Sequence, residues 1–430
     1  MNMSRGLWNL AGKVLKGTLN KKFEYSFEDF DIDSIEGPVF VVTNHVCAWD
    51  PVLIGFAIQE RQLAFVASEH TLRMPKYGKL MGKFLDVIPH KKAGGGTGSV
   101  RECLQRIKKG ESIFIASEGE QTWDGRTKPV VNSTGKLIKK SGATLVTMRI
   151  DGGYLAKPRW AENTRRGKIY VHHVNVYTPE QLASMSPEEV NDAINRDIYF
   201  DIWEWQREAE ADGGMYKYIP AEGGLAEGLE RMMYICPMCK ALGTLKSHGD
   251  EIECACGFKT RFTETGFLDP AEPFETIAEW SDWQDDLLGK MIEQDGTRGT
   301  VNSGADGDGE FAEAGGASTE MFSNEGFVLS EIANDHTERK VADGKLALIR
   351  SNADTDGVEG NKLYIDVAGA RFELSEISAM AMILANRIVF SANDLYYEIK
   401  PHDLKGRINL RKYLVAWQKS RESANNTEEV

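Results

Sequence analysis

The stretch Val39-Phe40-Val41-Val42-Thr43-Asn44-His45-Val46-Cys47-Ala48-Trp49-Asp50-Pro51 constrains the fold of this chain more than any other. Its first four residues are β-branched or aromatic, follow Gly37-Pro38, and are too few for a helix, so they predict a buried strand that stops at Thr43-Asn44. Asp50-Pro51 reads as an N-cap followed by proline at the first helical position, with Val52-Leu53-Ile54-Gly55-Phe56-Ala57-Ile58 as an apolar helix start. His45 therefore falls in the loop between strand and helix. The spacing lets the Asp50 carboxylate fold back onto one ring nitrogen, fixing the tautomer that leaves the other free as a base for a hydroxyl proton. A loop histidine merely bonded to a helix cap would present the same letters, and the features downstream decide between the two.

Three blocks follow in order: Asp86-Val87-Ile88-Pro89-His90-Lys91-Lys92, Ala116-Ser117-Glu118-Gly119-Glu120-Gln121, and Leu145-Val146-Thr147-Met148-Arg149-Ile150. Together with the His-x4-Asp motif this order resembles the PlsC-like acyltransferases, the 1-acylglycerol-3-phosphate acyltransferase family, over roughly the first half of the chain. In that family Asn-His-x4-Asp is followed by Gly-x-Ile-Pro-x-x-Arg, then Phe-Pro-Glu-Gly-Thr-Arg, then an apolar strand carrying proline. The resemblance implies His45 as the base that deprotonates an acceptor hydroxyl and Asp50 as its orienter. It puts Asn44, Lys92, Glu118 and Gly119 on the acceptor side. It further implies an acyl thioester donor, acyl-CoA or acyl-carrier protein, and a lysophospholipid acceptor, above all 1-acyl-sn-glycerol-3-phosphate.

The departures are Lys92 and Gln121 in place of two arginines, and Thr147 in place of the proline. An arginine fork grips phosphate bidentately, whereas lysine is a mobile point charge and glutamine carries none. Three readings stand open: a substitute cation such as Arg126 or Lys128, a different acceptor head group, or a domain that has lost activity. Cys47 lies in the same loop, but the His-Asp logic needs no covalent intermediate, and it reads as a small packing residue.

A length of 430 residues suggests about three domains at ~150 residues each. No run reaches the ~18 apolar residues of a membrane span, and the first residues lack a secretory signal. These features predict a cytoplasmic protein, peripheral on the inner face of the membrane. Arg5, Lys13, Lys16, Lys21 and Lys22 beside Leu7, Trp8, Leu10, Val14, Leu15 and Leu19 form a basic amphipathic helix suited to an anionic membrane surface. A second basic stretch runs from Lys79 to Lys109 around the Lys92 block; its glycine loop, Gly94 to Ser99, lacks the Walker ending and implies no nucleotide hydrolysis. The net charge of −14 argues against a nucleic-acid binder.

Beyond the first domain, Cys236-Pro237-Met238-Cys239 and Cys254-Ala255-Cys256-Gly257 stand 14 residues apart, the signature of a zinc ribbon with a structural Zn²⁺. The second pair is one residue tighter than usual, which leaves His248 as a fallback for Cys254. A short acidic, aromatic helix around Glu279 to Asp286 and a Gly/Asp-rich linker from Gln294 to Ser318 follow. The last hundred residues alternate as short strands before a helix from about Leu404 to Ser423, a pattern similar to pleckstrin-homology or GRAM-like domains.

The fold class expected is an α/β acyltransferase domain, a mainly parallel sheet flanked by helices, with a small zinc ribbon and a C-terminal mostly-β domain closed by a helix. The division expected is 1–225, 228–268, 269–318 and 319–425. Two functions fit: an acyltransferase of phospholipid biosynthesis, or a non-catalytic membrane-docking scaffold that keeps the acyltransferase fold and recruits partners through its ribbon and C-terminal domain.

Overall fold

The run Val39–Thr43 is a strand buried at every position, as a strand covered on both faces must be. It is the centre of the first of two compact units, Met1–Leu225 with Glu264–Gly266; the second comprises Ala226–Thr263 and Phe267–Val430. The computed structural model describes residues 16–58, 61–73, 86–94, 96–293, 318–351 and 362–428. Most of the basic N-terminal segment (residues 1–15), Lys79 and Lys83, Gly95 of the glycine loop and nearly all of the 294–318 linker lie outside the described residues. Among the described residues no helix is long and apolar enough to cross a membrane.

The strands of the first unit's main sheet are Glu24–Phe27 (β1), Val39–Thr43 (β2), Leu63–Ser68 (β3), Asp86–His90 (β4), Ser112–Ala116 (β5), Thr144–Asp151 (β6) and, after the two-residue Arg165–Arg166 (β7), Lys168–Tyr177 (β8). Their spatial order is β1-β8-β6-β2-β5-β3-β4. Every neighbouring pair is parallel except β6 with β8, so the sheet is mixed with a parallel centre. On one face Phe40, Val42, Ala64, Ile113 and Leu145 pack into a buried cluster with Ile107, Ile138, Val190 and Ile194 from the helices Thr97–Lys108, Ser133–Ser141 and Pro187–Ile198. Thr147, where the resembled motif carries proline, is fully buried and donates from Oγ1 to Asp197 Oδ2 at 2.9 Å.

Ser186-Pro187-Glu188-Glu189 reads as a helix start, with the helix running through Trp203-Glu204-Trp205; the structure has two helices there, Pro187–Ile198 and Ile202–Ala211. Ser186 starts the first with a reciprocal box, Glu189 N donating to its Oγ at 3.1 Å and its own N donating to Glu189 Oε2 at 2.6 Å. The chain breaks at Tyr199-Phe200, and Asp201 Oδ1 accepts from Trp203 N at 2.8 Å to start Ile202–Ala211. The hydrophobic period continues across the break, which hid a new cap inside it.

The first unit also holds Ile219–Pro220 (β9), which pairs with β7; the second has its own small sheet: Leu245–His248 (β10), Glu251–Cys254 (β11), Lys259–Phe262 (β12) and Leu268–Asp269 (β13). The helix expected around Glu279 to Asp286 runs from Ile277 to Glu293. Seven antiparallel strands follow, Ser318–Ile332 (β14), Glu338–Ser351 (β15), Leu363–Val367 (β16), Ala370–Glu373 (β17), Ile377–Ile383 (β18), Arg387–Ala392 (β19) and Leu395–Pro401 (β20), in the order β17-β16-β15-β14-β20-β19-β18. The closing helix begins at Arg411, not near Leu404, because Asn409 Oδ1 accepts from Lys412 N at 3.1 Å and starts it there.

Candidate active site

The loop after β2 sits at the C-terminal end of the parallel strands, the edge at which open α/β sheets bind ligands. His45 Nδ1–H donates to Asp50 Oδ2 at 2.7 Å, with the carboxylate fully buried and the ring 23% exposed. Asp50 does not cap its helix as the sequence suggested. Its oxygens turn back and accept from Val46 N at 2.8 Å and Cys47 N at 3.0 Å, and the residue that flanks the helix, Trp49, makes no side-chain cap. One carboxylate thus closes the loop on itself, holding the histidine ring and two amides, while Nε2 keeps its lone pair. The Cys47 thiol is buried, and burial together with the Asp50 charge pushes its pKa well up, so it stays protonated.

Asn44 and Glu118, expected on the acceptor side, both hydrogen-bond to backbone. Asn44 Nδ2 donates to Ile150 O at 3.0 Å and its Oδ1 accepts from Ile150 N at 2.9 Å, which ties the His45 loop to β6. Glu118 Oε1 accepts from His45 N at 2.5 Å and Oε2 from Lys128 N at 2.8 Å. Burial pushes the Glu118 carboxyl up to about 8 against the pull of those two amides. Gly119 turns the chain at φ 80°, in the left-handed region that glycine favours.

A cluster of charges lies beside this segment. Arg159 Nη1 donates to Glu120 Oε2 at 2.7 Å and to Gln121 O at 3.2 Å, its guanidinium 4.3 Å over the Trp123 ring and its side chain 3% exposed. Lys128 Nζ reaches Glu120 Oε1 at 3.3 Å. Burial and the neighbouring Arg159 charge bring Lys92 down to about 8, against the attraction of Glu120. Glu120 itself is held far below the usual carboxylate range by Arg159, Lys128 and Lys92. Arg126, the other candidate substitute cation, pairs with Asp124, its Nε donating at 3.0 Å. In the sequence Pro158-Arg159-Trp160 lies outside the four blocks and reads as an acceptor-side contact or as simple packing, and no spacing links Arg159 to Gln121.

In the second unit, the thiols of Cys236, Cys239, Cys254 and Cys256 all lie within 4.8 Å of one another, with Cys236 Sγ to Cys256 Sγ at 3.6 Å and Cys239 Sγ to Cys254 Sγ at 3.8 Å. Those separations are too long for a disulfide near 2.05 Å and close to the roughly 3.8 Å edge of a tetrahedron with metal–sulfur bonds of about 2.3 Å. Two tight turns present the pairs, with Lys240 N donating to Cys236 O at 2.9 Å and Gly257 N to Cys254 O at 3.0 Å. Cys254 completes the set, and among the described residues His248 is not part of it.

Residues 22–151 match the family model described as Acyltransferase. That span holds His45, Asp50, Lys92, Glu118 and Gly119, whereas Arg159 lies beyond it. Among solved structures, the 1-acyl-sn-glycerophosphate (LPA) acyltransferase PlsC from Thermotoga maritima is similar at 19% identity over 47% of this chain and 80% of that one, with a TM-score of 0.39.

Proposed function

We propose, from an acyltransferase domain over residues 22–151 as premise, that this chain moves a fatty acyl group from an acyl thioester to the free hydroxyl of a lysophospholipid at a membrane surface. The observation that carries the reading is His45, tied through Nδ1 to the buried Asp50 and partly open to solvent at the strand ends. His45 Nε2 takes the hydroxyl proton as the acceptor oxygen attacks the thioester carbonyl carbon. The carbon–sulfur bond then breaks, and the departing sulfur takes the proton back from the imidazolium. Asp50 holds the tautomer and stabilises the imidazolium charge, and a base so placed contributes about 10²–10⁴-fold. Glu118 and Asn44 act as braces that fix the histidine loop to β6 and to the 118–128 segment.

The donor is acyl-CoA or an acyl-carrier protein, and the resemblance of the motifs makes 1-acyl-sn-glycerol-3-phosphate the acceptor to test first. Cys236, Cys239, Cys254 and Cys256 hold a structural Zn²⁺, which folds their module and takes no part in acyl transfer. The basic N-terminal segment docks on anionic lipid at the cytoplasmic face, and the C-terminal sheet with its helix is a pleckstrin-homology or GRAM-like docking module.

The test is acyl transfer by the full-length protein from acyl-CoA and acyl-carrier donors to several lysophospholipids in vesicles, beside His45→Ala. Transfer abolished in the variant is the expected result. No transfer from either donor by folded, metal-loaded protein would replace this reading with the scaffold.

A further inference from the structure

The turn after β5 is fastened to His45 at both of its ends. His45 N donates to Glu118 Oε1 at 2.5 Å, and Thr122 N donates to His45 O at 3.0 Å. Between those fastenings the chain is held by two carboxylates and one carbonyl. Glu118 Oε2 accepts from Lys128 N at 2.8 Å, and Glu120 accepts from Arg159 Nη1 at 2.7 Å and from Lys128 Nζ at 3.3 Å. Gln121 O accepts from Arg159 Nη1 at 3.2 Å, so the peptide group that joins Gln121 to Thr122 is fixed at its oxygen and at its nitrogen.

Two main-chain donors of this braced segment are left over. Among the described residues the amides of Glu120 and Gln121 donate to no acceptor, although both residues are half-buried. Main-chain N–H groups withdrawn from solvent are nearly always paired, so two in succession ask for an explanation. They stand beside the base: Gln121 is one residue, about 3.8 Å of chain, from the amide that holds His45 O. Successive N–H groups in a turn make a concavity suited to an anion. Arg159, Lys128 and Lys92 outnumber Glu120 here, so the surrounding field also favours negative charge.

Building on the acyltransferase reading, we infer that the main-chain amides of Glu120 and Gln121 are the oxyanion donors of this site. As the acceptor oxygen bonds to the thioester carbon, the carbonyl π pair moves onto the carbonyl oxygen, and the two N–H groups meet the charge that forms there. When that pair returns, the carbon–sulfur bond breaks and the proton held on His45 Nε2 goes to the departing sulfur. Donors already fixed in place need no reorganisation at the moment of reaction, and the grip of Glu118 and Arg159 on this turn supplies that fixity.

Gln121→Pro removes one of the two N–H groups, whereas Gln121→Ala keeps it and removes only the carboxamide. The test is steady-state transfer from palmitoyl-CoA to 1-acyl-sn-glycerol-3-phosphate in phosphatidylcholine vesicles by the full-length protein and both variants. Gln121→Pro is expected to lose about 10²-fold or more in kcat with both KM values little changed, and Gln121→Ala to stay close to wild type. A proline variant as fast as wild type, or an equal loss in both variants, would overturn the inference. A second measurement does not depend on how the proline variant folds: the infrared band of a ¹³C-labelled thioester carbonyl in palmitoyl-CoA bound to His45→Ala. It is expected below its frequency in water, and a band at or above that frequency counts against the two donors. A wild type that neither binds nor transfers from the donor sinks the acyltransferase reading, whereas a wild type matched by Gln121→Pro sinks the oxyanion assignment alone.

Discussion

His45 is positioned before any substrate arrives, because the carboxylate that orients it is also bonded to the amides of Val46 and Cys47. Asp50→Asn keeps the side chain's size, but an amide at the Oδ2 position donates to Nδ1, stabilises the wrong tautomer and leaves Val46 N without its acceptor. It is expected to lower kcat by at least about 10²-fold with little change in acceptor KM, within the range of a lost general base. Lys92 gives a prediction in pH. Held down at about 8, it carries its charge below that value and loses it above, so acceptor KM should rise as pH passes through about 8. A Lys92→Gln profile without that rise is the check. His45 and Asp50 were legible in the sequence because their partnership is local. Arg159 was not, since it reaches Glu120 from 39 residues away and only the folded chain brings them together. The contacts of Asn44 and Glu118 were hidden for the same reason: their partners are the backbone of Ile150 for the one and of His45 and Lys128 for the other.

Strands of continuous apolar character and helices with clear starts were readable, as β2, β5 and the Ser186 box illustrate. What failed was the place where one helix ends and another begins, at Phe200-Asp201, and the start of the last helix, both set by a single side-chain acceptor. The helices Ser133–Ser141 and Pro187–Ile198 meet closely at Gly135, where a Cβ would stand 2.0 Å from Pro187 O. Gly135→Ala gains helix propensity of about 1 kcal/mol. It must still push apart the helices Ser133–Ser141 and Pro187–Ile198, and overpacking of this kind costs typically about 1–3 kcal/mol. A net loss in the denaturant midpoint is expected, and a midpoint at or above wild type would contradict this packing.

For the molecule as a whole, the Zn²⁺ proposed at the four thiols would make folding of their module dependent on a metal. Chelation at neutral pH is expected to release one divalent ion per chain, read by a colorimetric zinc indicator, and to lower hydrogen-exchange protection in β10 to β12 while β2 keeps its protection. Protection unchanged after the ion has left would show that the turns hold without it.

The three residues Glu264–Gly266 return to the first unit after the chain has entered the second. Glu264 O accepts from Tyr218 N at 2.8 Å, Thr265 O accepts from Gln206 Nε2 at 2.8 Å, and Gly266 fits where a Cβ would stand 2.8 Å from Leu155. The unit carrying His45 is thus written in two separate passages of the gene. A fragment stopped at Leu225 would look complete by length and by family match, yet it would leave a main-chain donor and a buried carboxamide short of acceptors. The smallest heritable piece that keeps all of this unit's contacts runs past Gly266, and it takes the cysteine turns along.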